Sequence, residues 1–407
     1  MPPKPRPVTA KALQGLLTRI GSASSGTKDV LQERFRRDLR QPRLPALKPQ
    51  GRARQELSWG RKLRVFSIDM GIKNLAYCHV EIDYANGNPM NPTIDIISWD
   101  KLNLADAPQD LRPPLQRPRI VEEDAADAEE EIDPYSLNVL SQTAVSFVRK
   151  TVLQHTPDII LIERQRWRSA GGAAIQQWTV RVNTLEAMLW SALETMRVEH
   201  GNASSRFGDT QRQDRNYQVY GVDPKRVGQF WLGQHARAKS EEHEEAVLAL
   251  AQDELQNEGT KGASVKKVPR SKAEKSAKIA LLRSWLTTEP ASTASSTPDS
   301  TPVISFTIGA GATTARDALC LPANARRSRK KAKSGDEAGE AAAGTTKDVK
   351  KLDDITDCCL QAAAWVAWEA NRLQLYNVWE RETGRAGKMP DLDDNVFKAM
   401  LAATGQG

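Results

Sequence analysis

VFSIDMGIKNLAYCHV, residues 65–80, consists of two apolar runs joined by the tight turn GIKN, with a single carboxylate, Asp69, closing the first run. Runs of this length, rich in Val, Ile, Phe and Tyr and bounded by turn residues, have the character of strands. A charge at the end of a buried strand has two explanations. It is either an ordinary turn residue or one part of a polar site assembled from distant segments. The later acidic positions bear on that choice.

Working outward, the pattern predicts strands at 63–70, 75–82 and 94–99, the last two joined through DYANGNPMNP at 83–92, which is dense in turn residues. Residues 102–133 are proline-rich and then acidic (VEEDAADAEEEID, 121–133) and have the composition of a surface insertion. A helix is predicted at 135–155. A fourth strand, DIILIERQ at 158–165, is apolar until Glu163. After Gly171 and Gly172 a long helix spans 174–198, with Ile175, Trp178, Val182, Leu185, Leu189 and Leu193 at helical spacing. A fifth strand, YQVYGV at 217–222, leads into DPKRVGQFW, whose proline sits in the first helical turn, where a missing N–H costs little. The last strong helix covers 350–376. This order predicts an α/β domain built on a mixed five-stranded sheet flanked by helices.

Two further regions frame that domain. Residues 9–40 read as a pair of short helices around GSASSGTKD, from the spacing of Leu13, Leu16, Leu17 and Ile20 and of Leu31, Phe35 and Leu39. Residues 41–60 have a linker's prolines and basic side chains. From 236 to 347 the composition shifts to Ala, Ser, Thr, Lys and Glu, which predicts a largely disordered insertion interrupted by a helix at 272–286. The expected division is therefore 1–40, a basic N-terminus with the hairpin; 41–60, a linker; 61–235 with 348–385, the main domain; and 236–347, the insertion.

Composition narrows the function classes. The chain has 407 residues, 39% of them hydrophobic, and a formal net charge of +7, with a sequence pI near 9.1. A basic balance of this size favours polyanionic partners. No apolar run approaches the ~18 residues a bilayer span needs. Cys78, Cys320, Cys358 and Cys359 form no C-x-x-C pair, so neither a zinc site nor a disulfide framework is indicated. The first 28 residues carry Lys and Arg but no Asp or Glu. That pattern fits an organellar presequence, the start of a basic folded module, or both.

The acids now fall into a set. In open α/β sheets, functional sites gather at the carboxyl ends of strands, where Asp69 and Glu163 are expected. LDDITDCCLQAAAW, 352–365, opens the last helix with Asp354 and Asp357 three residues apart on one face, in the first turns, where the helix dipole favours anions. Each acid alone is unremarkable: a turn residue, an ion-pair partner for a neighbouring arginine, a helix cap. Together, four converging carboxylates would repel one another, and hard divalent cations with oxygen ligands relieve that repulsion. Two Mg²⁺ ions about 3.5–4 Å apart suit phosphodiester hydrolysis.

The three motifs in this order resemble the ribonuclease H-like nucleases, and within them the RuvC-type Holliday junction resolvases. SIDMGIKNLAY is similar to the first-strand motif and ILIERQRWRS to that of the fungal mitochondrial branch; KKLDDITDCCLQAAAW is similar to the final-helix motif. The resemblance implies a ribonuclease H-like fold, with Asp69, Glu163, Asp354 and Asp357 as catalytic and metal-holding residues. Asp353 stays open as a further ligand. It also implies Mg²⁺, with Mn²⁺ able to substitute, a four-way DNA junction as substrate, a homodimer formed through the 174–198 helix region, and a mitochondrial matrix location, with the nucleus as the alternative. The front hairpin resembles a SAP motif through Leu17, Gly21, Ser25, Gly26, Lys28, Leu31 and Arg34, although Ser22 stands where leucine is usual.

Substrate contact is expected from basic and aromatic residues: Lys28 and Arg34 on the hairpin, Lys73 in the GIKN turn, Arg164, Arg166, Trp167 and Arg168 beside Glu163, Lys225 and Arg226 at a helix start, and Lys350 and Lys351 before the acidic helix. Arginines neutralise phosphates, and an indole stacks on an unpaired base. Two rival functions remain open from sequence: a nuclease of the same fold acting on RNA–DNA hybrid, and a catalytically silent DNA-binding scaffold. Neither a membrane partner nor a small-molecule cofactor is expected.

Overall fold

A computed structural model describes residues 8–41, 43, 62–84, 91–106, 133–165, 173–207, 217–238, 270–287, 304–320, 352–383 and 394–403. In chain order the elements are α1 (Ala10–Arg19), α2 (Lys28–Leu39), β1 (Leu63–Asp69), β2 (Leu75–Tyr84), β3 (Pro92–Leu102), α3 (Leu137–Phe147), β4 (Ile159–Glu163), α4 (Ala173–Phe207), β5 (Gln218–Val222), α5 (Pro224–Ala238), α6 (Arg270–Thr287), β6 (Ser305–Gly311), α7 (Thr313–Cys320), α8 (Leu352–Thr383) and α9 (Asp394–Ala403). Helix α3 runs on through a π turn, Val148–Val152, and a 3-10 turn, Leu153–His155. Among the described residues no helix is long and apolar enough to cross a membrane.

The strands form one mixed sheet in the order β5-β4-β1-β2-β3-β6. β1 is antiparallel to β2 and parallel to β4; β4 is parallel to β5. Side chains alternate across a strand, so residue parity assigns each one to a face. Leu63, Val65, Cys78, Ile159 and Leu161 face a core shared with α5, α6, α7 and α8. Phe66, Ile68, Tyr77, Ile160 and Ile162 face the other way, onto α3 and α4. The predicted stripe Val182, Leu185, Leu189 and Leu193 is buried there, as its period requires.

The sheet has six strands, not the expected five. The sixth, β6, pairs parallel with β3 and forms the sheet edge; it comes from a segment whose surroundings are rich in Ser, Thr and Pro. Its sequence, SFTIGAG, looks poor for a strand because glycine weakens strands. The close approach to β3 explains the glycines: a Cβ on Gly311 would lie 2.7 Å from the Ile97 carbonyl oxygen.

The N-terminal pair α1–α2 packs on the far half of α8 and on α9 through Leu13, Leu17, Phe35, Leu375 and Phe397. The turn between its helices is held by polar groups. Arg372 Nη2 donates to the Ile20 carbonyl (2.7 Å), Asn371 Nδ2 to that of Arg19 (3.0 Å), and Arg226 Nη1 to that of Gly21 (3.1 Å). Gly21 has φ +67°, and a Cβ there would fall 2.3 Å from Trp368 Cδ2, so both backbone and packing require glycine.

Candidate active site

Parity decides where the acids go. Asp69 continues the Leu63–Val65–Ser67 phase of β1, and Glu163 the Ile159–Leu161 phase of β4. Both therefore face α8. The parallel register runs Val65 to Ile159 and Ile68 to Ile162; one residue further, Asp69 lies beside Glu163. The two carboxyl groups are close enough for Glu163 to raise the Asp69 carboxyl. Glu163 Oε1 also accepts a long bond from Gln165 Nε2 (3.4 Å), and the Gln165 N–H donates to Glu186 Oε2 on α4 (3.0 Å).

Helix α8 enters over this pair. Asp354, Asp357 and Gln361 recur at helical spacing on one face. Gln361 Nε2 donates to Ser67 Oγ (3.0 Å) and to the Ile68 carbonyl (3.2 Å), which fixes the helix against β1. From behind, Trp99 Nε1 donates to the Ile355 carbonyl (2.8 Å). The first turns of α8 are thus clamped between β1 and β3, with the two aspartates toward Asp69.

The electrostatics follow from burial. Asp69 is only 9% exposed. Desolvation first, then Glu163, then Asp357 and Asp354, push its carboxyl well above the usual carboxylate range. Burial also raises Asp357, against the pull of Lys278, whose Nζ lies 3.1 Å from Asp357 Oδ1. Lys275 pairs with Asp353 at 2.5 Å. Both lysines come from α6, the helix expected at 272–286 within the insertion. Sequence reasoning passed over them, although Lys272, Lys275 and Lys278 recur every three residues and Lys278 is followed by Ile279, Leu281 and Leu282.

The donor set is all oxygen and acidic, which fits a hard divalent cation and not a thiophilic one. Among the described residues no three His, Cys, Asp or Glu side chains already stand in a metal-ligand arrangement. The site as it stands is a close acid pair, Asp69 and Glu163, with Asp354 and Asp357 near enough to act on it through charge.

The expected nucleic-acid contacts divide. Lys73 and Lys225 are exposed, and so is Arg164, which lies over Gly221; Lys28 is half-buried at the start of α2. Arg34 spends Nη1 on the carbonyls of Ala23 (2.6 Å) and Ser25 (2.7 Å), bracing the hairpin turn. Arg226 joins α5 to that same turn. Arg166, Trp167, Arg168, Lys350 and Lys351 lie outside the described residues.

Comparison with known proteins supplies the context. Residues 65–375 match the family model described as mitochondrial resolvase Ydc2 / RNA splicing MRS1. The Schizosaccharomyces pombe protein named cruciform cutting endonuclease 1, mitochondrial, is 32% identical over 181 residues; the match spans 44% of this chain and 53% of that protein's length. The Saccharomyces cerevisiae protein of the same name is 24% identical over 320 residues, 78% of this chain and 71% of the relative. Of solved structures, that of the yeast mitochondrial Holliday junction resolvase Ydc2 aligns with TM-score 0.43 at 18% identity, over 91% of this chain and 97% of its own. Thermus thermophilus RuvC aligns with TM-score 0.23 at 13% identity, over 53% and 90%.

Proposed function

Because the chain belongs to the family described as mitochondrial resolvase Ydc2 / RNA splicing MRS1, we propose that it is a structure-selective endodeoxyribonuclease that resolves four-way DNA junctions in mitochondria. The single observation that carries this is the meeting of Asp69 and Glu163 at one sheet edge under the acidic start of α8. The names of the two yeast relatives, both cruciform cutting endonucleases, agree with it. The family's description also names RNA splicing; the clustered acids favour a cutting enzyme over a binding scaffold.

In this reading Asp69, Glu163, Asp354 and Asp357 hold Mg²⁺, which Mn²⁺ replaces. When bound, the ion supplies a Lewis acid for the phosphodiester and a water of lowered pKa. The chain's own part is positional. Gln361 and Trp99 fix the α8 acids against β1 and β3, burial excludes bulk water from Asp69, and Lys278 offsets the charge on Asp357. Exposed Lys73, Arg164 and Lys225 meet DNA phosphates.

A homodimer completes the proposal, because paired cuts on opposing strands suit a two-fold enzyme. Exposed Val180 and Val198, 47% exposed in the latter case, lie on the face of α4 opposite its buried stripe and offer apolar area for a second copy. The substrate is tested by cleavage of a synthetic four-way DNA junction, an RNA–DNA hybrid and a linear duplex in Mg²⁺. Selective, symmetric cutting of the junction is expected. Preference for the hybrid, or binding with no cutting in Mg²⁺ or Mn²⁺, overturns the proposal.

A further inference from the structure

Four side chains that the acid site does not use gather at the same end of the sheet. Tyr135, just before α3, packs edge-on against Trp178 of α4, ring centroids 5.5 Å apart at 72°. Lys73, in the turn after Asp69, puts Nζ 5.8 Å from the Tyr135 centroid and 6.0 Å from that of Trp178. The Arg181 guanidinium lies 4.6 Å from the Tyr135 ring.

Trp178 belongs by spacing to the stripe of Val182, Leu185, Leu189 and Leu193, all of them buried, yet it is 36% exposed. Its position explains the difference. Glu186 of α4 is level with Gln165, just past the acid-bearing end of β4. Trp178 lies eight residues earlier, about 12 Å further along the helix axis. The stripe's first aromatic therefore overhangs the sheet edge that carries Asp69 and Glu163. It lies on the opposite side of α4 from Val180 and Val198, so the apolar face offered to a second copy does not account for it.

An exposed indole beside a half-buried phenol, flanked by two cations and next to a phosphodiester-cutting site, has the chemistry that takes an unpaired base and its phosphates: a π-face for the base, Lys73 and Arg181 for the backbone. A linear duplex keeps its bases stacked, whereas the branch point of a junction exposes base faces. We propose that Tyr135, Trp178, Lys73 and Arg181 form a platform that receives an unstacked nucleobase from the junction centre and so selects branched over linear DNA. This rests on the junction-cutting function proposed above.

The experiment uses the full chain. Affinity for a four-way junction and for a linear duplex of equal length is measured for wild type, Trp178→Ala and Trp178→Phe, with sedimentation of each. In parallel, a junction carrying 5-iodouracil at the branch point is photo-crosslinked and the adduct mapped by mass spectrometry. Trp178→Ala is expected to lose about 5- to 150-fold in junction affinity with duplex affinity and oligomeric state unchanged. Trp178→Phe should retain most of it, and crosslinks should fall on Tyr135 or Trp178. Equal loss on junction and duplex, an altered oligomeric state, or unchanged junction affinity with crosslinks elsewhere overturns the platform. A platform failure leaves wild-type junction preference intact, whereas absence of that preference in wild type removes the junction-cutting function as well.

Discussion

At the residue scale, buried polar side chains set the behaviour. His79 is buried on the β2 face toward α3 and α4, against Phe66 and 4.5 Å, centroid to centroid, from His155. Burial, then the His155 and Arg64 charges, push it down to about 3. It is therefore neutral in the folded protein, while the unfolded chain takes up a proton below about pH 6.5. Stability is fully present above that value and is lost as pH falls from about 6.5 towards 3, at about 1.4 kcal/mol per pH unit for one proton. Urea midpoints measured across this range should fall on acidification, and His79→Leu should flatten the slope by one proton. An unchanged slope would contradict the assignment. Gly21 makes a second case. Gly21→Ala combines a left-handed backbone with a collision at Trp368 and should cost about 2–4 kcal/mol, seen as earlier proteolysis of the N-terminal hairpin. Wild-type protease resistance would show that the hairpin does not dock on α8 as described.

At the scale of elements, the site depends on α8 keeping its register over β1. Gln361 makes that contact with two hydrogen bonds to β1. Gln361→Leu should lower stability by about 1–3 kcal/mol and reduce cleavage more than junction binding; equal losses would mean that Gln361 serves only the fold. This scale also shows what was legible in the sequence. The positions of Asp69 and Glu163 at strand ends and the i, i+3 spacing of Asp354 and Asp357 are local patterns, and they suffice to point β1, β4 and α8 to one edge; which face of the sheet they share comes from the parity seen in the structure. The sixth strand was not legible, because the glycines that let it approach β3 are those that hide it from propensity. Lys278 was missed for a different reason. Its partner, Asp357, is 79 residues away, and helical spacing says nothing about which distant helix a lysine will meet. Arg34 and Arg226, read as DNA contacts from their charge, both donate to carbonyls of the hairpin turn: Arg34 within its own hairpin, Arg226 across 205 residues of sequence, a pairing that composition does not encode.

At the scale of the whole molecule, a net charge of +7 with an acidic block at 121–133 leaves the rest of the chain more basic than the total. Junction binding should weaken steeply with salt. Lys28, Lys73, Arg164 and Lys225 alone correspond to a log–log slope of about −4; a slope near zero would remove these residues from the interface. The central claim is that one acid cluster, built from β1, β4 and α8, cuts DNA with a divalent ion. It is tested most directly by mapping cleavage of a synthetic four-way junction in Mg²⁺ by wild type, Asp69→Asn, Glu163→Gln and Asp357→Asn, with junction binding measured on the same samples. Each variant should lose more than about 10²-fold in cleavage, beyond what loss of a merely supporting contact costs, while still binding the junction. Wild-type cutting by these variants would contradict the account.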